Sequence, residues 1–260
     1  MFRLEEVLSS GRYGMVYKGV RLNDMRKVAI KKLPLRRADL DSFTNKDMIR
    51  REETHWRKAT GNANVVSFYG KYEDDENMYF VSELCSYSLS DLASKTTVTP
   101  IESKRLIRDI TRGVYWCHKL DIAHCDVKPA NILIDDENFR WKLADFGNSQ
   151  TAYHENDGLF FKRGTPSYSS PELFSTSSPY GKNVDMWAIG IITFQLHANW
   201  DHPFYNGTNN RDFIKSIQEG VPIWNGSFTH DVKDFISLCL EKDKDKRISS
   251  EEAIQHPYIK

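Results

Sequence analysis

Residues 124–131 read His124-Cys125-Asp126-Val127-Lys128-Pro129-Ala130-Asn131 and gather an acid, a cation and a carboxamide in one short loop. The Asp126 carboxylate can receive or orient a hydroxyl proton. Lys128, two residues on, can neutralise charge on a moving phosphoryl group, and Asn131 offers an amide oxygen to a hard cation. Pro129 stiffens the loop between them. Further on, Asp145-Phe146-Gly147 adds a second hard-metal carboxylate. An in-line phosphoryl transfer from a metal-bound nucleotide asks for such a set.

These residues need a scaffold that brings them together. The first third of the chain holds short strand-like segments at 15–17, 28–30, 65–69 and 78–81, with Gly, Asn and Asp turns between them. One helical segment interrupts them at 46–58, carrying Met48, Ile49 and Trp56. After residue 84 the pattern turns mainly helical. The clearest helix spans 100–119: Thr99 suits the N-cap, Pro100 the first helical position, and Glu102 completes a capping box. Ile107, Ile110, Val114 and Cys117 recur at the spacing of a buried stripe. A second box, Ser249 with Glu252, opens a short terminal helix. Strands first and helices second imply an α+β body of two lobes, a small strand-rich N-lobe over about 1–84 and a larger helical C-lobe over about 85–260.

Bulk properties narrow the classes. The 260 residues are 40% hydrophobic and 28% charged, ordinary for a soluble globular chain with a well-buried core. Lys plus Arg equals Asp plus Glu at 36 each, so no global field draws the chain to nucleic acid or an anionic membrane. The charge run 242–247 alternates in sign and reads as a solvated loop. No apolar run is long enough to span a bilayer and the first residues are no signal peptide, so a cytoplasmic location, with the nucleus as alternative, is expected. Cys85, Cys117, Cys125 and Cys239 are too scattered for a zinc knuckle or a redox pair.

The 124–131 and 145–147 segments together resemble the catalytic and metal-binding loops of the eukaryotic protein kinases, serine/threonine type. Ser9-Ser10-Gly11-Arg12-Tyr13-Gly14-Met15-Val16, alone an ordinary hairpin turn, is followed by Val28-Ala29-Ile30-Lys31 and so resembles that family's glycine loop and phosphate-gripping lysine. The resemblance implies ATP and Mg2+ as cofactors and protein substrates as partners. It places Ser9, Gly11 and Gly14 over the phosphates, Lys31 on the α- and β-phosphates, and Val16, Ala29 and Leu133 around the adenine. Glu83 and Cys85 fall in the hinge that holds the adenine edge, with Ser82 at the back of the pocket. Asp126 and Lys128 take the catalytic roles, and Asn131 and Asp145 the metal. Glu52 and Glu53 both qualify as the helix carboxylate that pairs with Lys31; Glu52 is preferred because Ile49 and Trp56 share its face. Gly164-Thr165-Pro166-Ser167-Tyr168 and Ser170-Pro171-Glu172 resemble the substrate-docking end of the activation segment. Asp185 resembles the residue that braces the catalytic loop, and Arg247 the partner of Glu172.

Three positions depart from the pattern. Ser9 stands for a glycine, Ser170 for an alanine, and Cys125 for the arginine that pairs with activation-segment phosphate. Without that arginine, phosphorylation of Thr151, Tyr153 or Thr165 is expected to matter less. The His-Cys-Asp form resembles that of the dual-specificity tyrosine-regulated kinases, which keeps a dual-specificity kinase as one alternative. A pseudokinase scaffold is another, set against the intact Lys31, Asp126, Asn131 and Asp145.

Overall fold

A computed structural model describes residues 1–11, 14–36, 42–93, 98–135, 137–151, 165–174, 181–204 and 210–260. Arg12, Tyr13, Tyr153 and Gly164, singled out above, lie outside these. The chain opens with β1 (Phe2–Gly11), β2 (Gly14–Arg21) and β3 (Arg26–Pro34). Helix α1 (Ser42–Ala59), β4 (Phe68–Glu73) and β5 (Asn77–Ser82) follow. The five strands form one antiparallel sheet in the order β1-β2-β3-β5-β4. Alternation along β3 sorts its side chains by face. Val28 and Ile30 join Val81 in a small apolar cluster under Phe2, Tyr69 and Tyr79. Lys31 lies on the other face with Leu33, which belongs to the main core.

The remainder is mainly helical. After β6 (Tyr87–Ser88) and α2 (Leu89–Ala93) comes α3 (Pro100–Lys119), then β7 (Ile122–Ala123), β8 (Ile132–Asp135), β9 (Arg140–Leu143) and β10 (Gln150–Thr151). Among the described residues there follow α4 (Asn183–His197), α5 (Asn210–Glu219), α6 (His230–Cys239) and α7 (Ser250–Ala253). Helix α3 starts where its capping box requires: the Glu102 N–H donates to Thr99 Oγ1, and Glu102 Oε2 accepts from the Thr99 N–H at 2.8 Å. Its stripe of Ile107, Ile110, Val114 and Cys117 is fully buried. The Ser249–Glu252 box opens α7 in the same way. Helix α4 is buried on nearly every side, as an all-round apolar helix should be, and packs against α3 and α6. Strands β6, β8 and β9 form a second sheet, and β7 pairs with β10.

One apolar core runs through both parts. It includes Ile49 and Trp56 of α1, Phe80 of β5, Phe146, and the inward faces of α3 and α4. Trp56 is its hinge pin: its ring stacks on Phe146 at 6.2 Å and lies 5.3 Å from Phe68, while its Nε1–H donates to the Val66 carbonyl at 2.7 Å.

Two expectations are corrected. Residues 65–69 were expected to form a strand, but β4 begins only at Phe68; Val65 and Val66 are buried and pair instead with the backbone of Leu143. Their apolar character answers to burial, not to sheet pairing. The charge run 242–247 is not uniformly solvated. Lys242 lies 3.9 Å from the centroid of the Phe204 ring, and Arg247 is buried in a two-pronged pair with Glu172, at 2.7 and 2.9 Å. Burial, and then the neighbouring Arg247, push the Lys242 pKa down to about 8.

Two stability measurements follow from this packing. Urea denaturation of Trp56→Ala should show a loss of about 3–5 kcal/mol, since a large cavity opens and the Val66 carbonyl is left unpaired. Ser170 is fully buried and its Oγ has no hydrogen-bond partner among the described residues. Ser170→Ala should therefore gain about 1 kcal/mol in the same assay by deleting a desolvated hydroxyl.

Candidate active site

The ammonium of Lys31 is the meeting point of three elements. It lies 2.6 Å from Glu52 Oε1 on α1 and 2.7 Å from Asp145 Oδ1, just beyond β9. Helix phase decides between the two glutamates. Glu52 is buried beside Lys31, whereas Glu53, one residue round the helix, pairs with Arg57 at 3.0 Å and Lys71 at 2.7 Å. Burial works against the Lys31 charge, but Asp145 and Glu52 outweigh it and raise its pKa. Burial also pushes the Glu52 carboxyl up, against the pull of Lys31. Burial opposes ionisation of Asp145 too, yet Lys31 and the Gly147 N–H hold its pKa down at about 2. Asp145 is the more open of the two acids, with 38% of its side chain exposed.

The loop at 124–131 is anchored from beneath by one buried carboxylate. Asp185 of α4 accepts the His124 N–H at 2.7 Å and the Cys125 N–H at 2.8 Å, and its Oδ2 lies 3.0 Å from His118 Nε2. Cys125 is held there with φ 63° and Asp145 with φ 64°, a region that costs a non-glycine residue energy. His124 is fixed as well. Its Nδ1 accepts the Asp126 N–H, so Nε2 carries the proton and donates to the Ala144 carbonyl at 3.1 Å.

Three donors converge on one oxygen of Asp126. Lys128 Nζ lies 2.8 Å from Oδ2, and Asn131 Nδ2 and Asn148 Nδ2 each lie 3.1 Å from it. Asn131 Nδ2 also donates to the Asp126 carbonyl at 2.8 Å. All three bonds to the carboxylate fall on Oδ2, and none of them on Oδ1. Lys128 further donates to Thr165 Oγ1 at 3.1 Å, which ties the loop to the expected docking segment. Asn148 was not anticipated from sequence. An asparagine after Asp145-Phe146-Gly147 carries no motif, and only the fold brings it to Asp126.

The other expected residues surround this centre. Ser9, Gly11 and Gly14 lie in the β1–β2 hairpin, with Ser9 opposite Val16 and Gly11 opposite Gly14. Gly14 has a structural reason to be glycine, because a Cβ there would collide with the Lys32 carbonyl oxygen; at Gly11 there is room. Val16 is the direct partner of Lys31 across the sheet, so the two share a face. Val16, Ala29, Leu133 and Cys85 are all only half-buried. The Glu83 side chain accepts the Ser67 N–H at 2.9 Å and pairs with Lys142 of β9, and Ser82 Oγ donates to the Glu83 carbonyl at 3.3 Å.

The donor set suits a small hard cation. Asp145 supplies a carboxylate and Asn131 an amide oxygen, its nitrogen being already engaged. Among the described residues no cluster of three or more His, Cys, Asp or Glu could hold a metal unaided. A pair of oxygen ligands completed by substrate phosphates is how Mg2+ is commonly held.

Comparison with known proteins agrees with this geometry. The family described as protein kinase domain matches residues 2–259. Calcium-dependent protein kinase 29 of Arabidopsis thaliana is 29% identical over 274 residues, covering 100% of this chain and 49% of the relative. Calcium-dependent protein kinase 5 of Plasmodium falciparum is 28% identical over 262 residues, covering 97% and 44%. The liver/testis gamma catalytic chain of phosphorylase b kinase from Mus musculus is 33% identical over 228 residues, covering 82% and 54%. The chain spans about half the length of these relatives.

The ion triad makes a pH-dependent prediction. The pKa of Asp145 is depressed in the fold, so its stabilising share is present above the ordinary carboxylate range and is lost as pH falls toward 2. Lys31→Met removes the cause of the depression. Thermal melts should show the variant below wild type near neutral pH, with the gap narrowing in acid.

Proposed function

This chain belongs to the protein kinase family, and from that premise we propose a serine/threonine kinase that moves the γ-phosphate of ATP onto hydroxyls of protein substrates. The observation that carries the reading is Asp126, with one carboxylate oxygen taken by Lys128, Asn131 and Asn148 and no side-chain bond from a described residue on the other. Held in one orientation, that second oxygen aligns an acceptor hydroxyl and takes up its proton. Lys128 lies beside it to offset negative charge on the moving phosphoryl group.

Lys31, braced by Glu52, grips the nucleotide phosphates, and the hairpin with Ser9, Gly11 and Gly14 closes over them. Val16, Ala29 and Leu133 flank the adenine, and backbone groups of Glu83 and Cys85 meet its edge. Family membership implies ATP as donor, usually with Mg2+. Asp145 and Asn131 would hold that ion, which supplies charge neutralisation at the phosphate oxygens. The fold lends rigidity rather than covalent chemistry, since Asp185 fixes the catalytic loop through its backbone. Lys128 and the Thr165-Pro166-Ser167-Tyr168 segment it touches favour serine and threonine acceptors. No described helix is long and apolar enough to cross a membrane.

The test is transfer of labelled γ-phosphate from Mg-ATP to a mixed protein substrate, followed by phosphoamino-acid analysis. Wild type should label serine and threonine. Asp145→Ala and Asp126→Asn should each lower kcat by about a hundredfold or more while staying folded. A folded wild type as silent as both variants would sink the proposal and leave a scaffold role in its place.

A further inference from the structure

His55 is a buried titratable side chain that the mechanism above does not use. It sits on α1 between Glu52, which holds Lys31, and Trp56, which stacks on Phe146. Its Nδ1 lies 2.9 Å from Ser149 Oγ and its Nε2 lies 3.1 Å from Thr151 Oγ1. The directions of these bonds follow from one neighbour. Ser149 Oγ donates its only hydrogen to the Phe146 carbonyl at 2.6 Å, so it must accept from His55 Nδ1–H. In a neutral ring Nε2 is then the acceptor, and the Thr151 hydroxyl donates a hydrogen bond to it. Burial, together with Arg51 and Lys58 nearby, lowers the His55 pKa to about 4 and keeps the ring neutral.

The result is a continuous relay: Thr151 hydroxyl to His55, His55 to Ser149, Ser149 to the backbone of Phe146. One turn of α1 thereby holds Phe146 through Trp56, Ser149 and Thr151 through His55, and Asp145 indirectly, through the Glu52 pair with Lys31 of β3. On its other side, the segment is secured by pairing of β10 with β7, directly before the catalytic loop. Cys125 stands where the family resemblance puts an arginine that pairs with phosphate, and Ser149 and Thr151 are held to α1 by neutral hydrogen bonds.

We propose that His55 is a positioning residue that fastens the segment after Asp145 onto α1 and keeps the Lys31–Glu52–Asp145 triad assembled without a phosphate. The inference rests on the kinase reading, because assembly of the triad matters only if it grips nucleotide.

The experiment compares phosphatase-treated wild type with His55→Ala, His55→Gln, Thr151→Val and the double variant His55→Ala/Thr151→Val. Steady-state kinetics with Mg-ATP and a protein acceptor are paired with hydrogen exchange over residues 52–56 and 145–151. His55→Ala should lower kcat by about ten- to a hundredfold and raise the KM for ATP, with the KM for the acceptor unchanged. Thr151→Val, isosteric and at an exposed position, should shift both in the same direction by less. The double variant should be no worse than His55→Ala, because Thr151 has then already lost its partner. His55→Gln, which keeps a donor and an acceptor, should recover part of the rate. Exchange should speed up in both segments in His55→Ala and Thr151→Val. Wild-type kinetics in both single variants, losses that multiply in the double variant, or unchanged exchange would each overturn the proposal. If wild type transfers no phosphate, the kinase reading fails instead, and the exchange comparison still decides whether His55 fastens the segment.

Discussion

A single ammonium group joins three parts of the chain that lie far apart in sequence. Lys31 rises from the inner face of β3, Glu52 from α1, and Asp145 from the loop beyond β9, and both carboxylates lie within 2.7 Å of the one ammonium. Removing these charges from water is costly, so the triad persists only where close geometry offsets desolvation. Two carboxylates for one cation leave an excess of negative charge. The structure divides it unequally, with Glu52 buried against Lys31 and Asp145 kept ionised and more open. That imbalance beside Asn131 is a suitable electrostatic setting for a divalent ion.

The catalytic loop is held by different means. It contains little regular structure, and its shape is imposed by acceptors that capture its backbone N–H groups. Asp185 takes two of them, and the His124 ring takes a third, that of Asp126. With the backbone fixed, a left-handed residue such as Cys125 can be tolerated, and Asp126 emerges at a defined angle. The three donors on Asp126 then remove its remaining rotational freedom. The loop is thus fixed with only one short 3-10 turn, Pro129–Asn131, of regular structure in it.

What was legible in the sequence was local or tied to a linear pattern. The start of α3 could be read because a capping box lies within four consecutive residues, Thr99 to Glu102. Lys31, Asp126, Asn131 and Asp145 stood out because their side-chain types recur in a fixed order. The choice between Glu52 and Glu53 rested on helix phase, and the apolar neighbours Ile49 and Trp56 pointed to the residue that meets Lys31. Features that depend on distant partners were hidden. Val65 and Val66 looked like a strand because buried β-branched residues do, yet their partner is Leu143. Lys242 looked solvated because its neighbours alternate in sign, and nothing local announces the Phe204 ring. Asn148 and His55 carry no motif at all.

The core that runs from Ile49, Trp56 and Phe80 through Phe146 into α3 and α4 has a mechanical consequence. Helix α1 shares its buried surface with the helical part of the chain as well as with the sheet above it. The outer face of that sheet has its own small cluster around Val28, Ile30 and Val81. The sheet and the helical part are therefore joined through one continuous interior. A chain severed after Ser82 would take the Phe146 cover from Trp56, so the fragment before the cut would not be a self-sufficient folding unit.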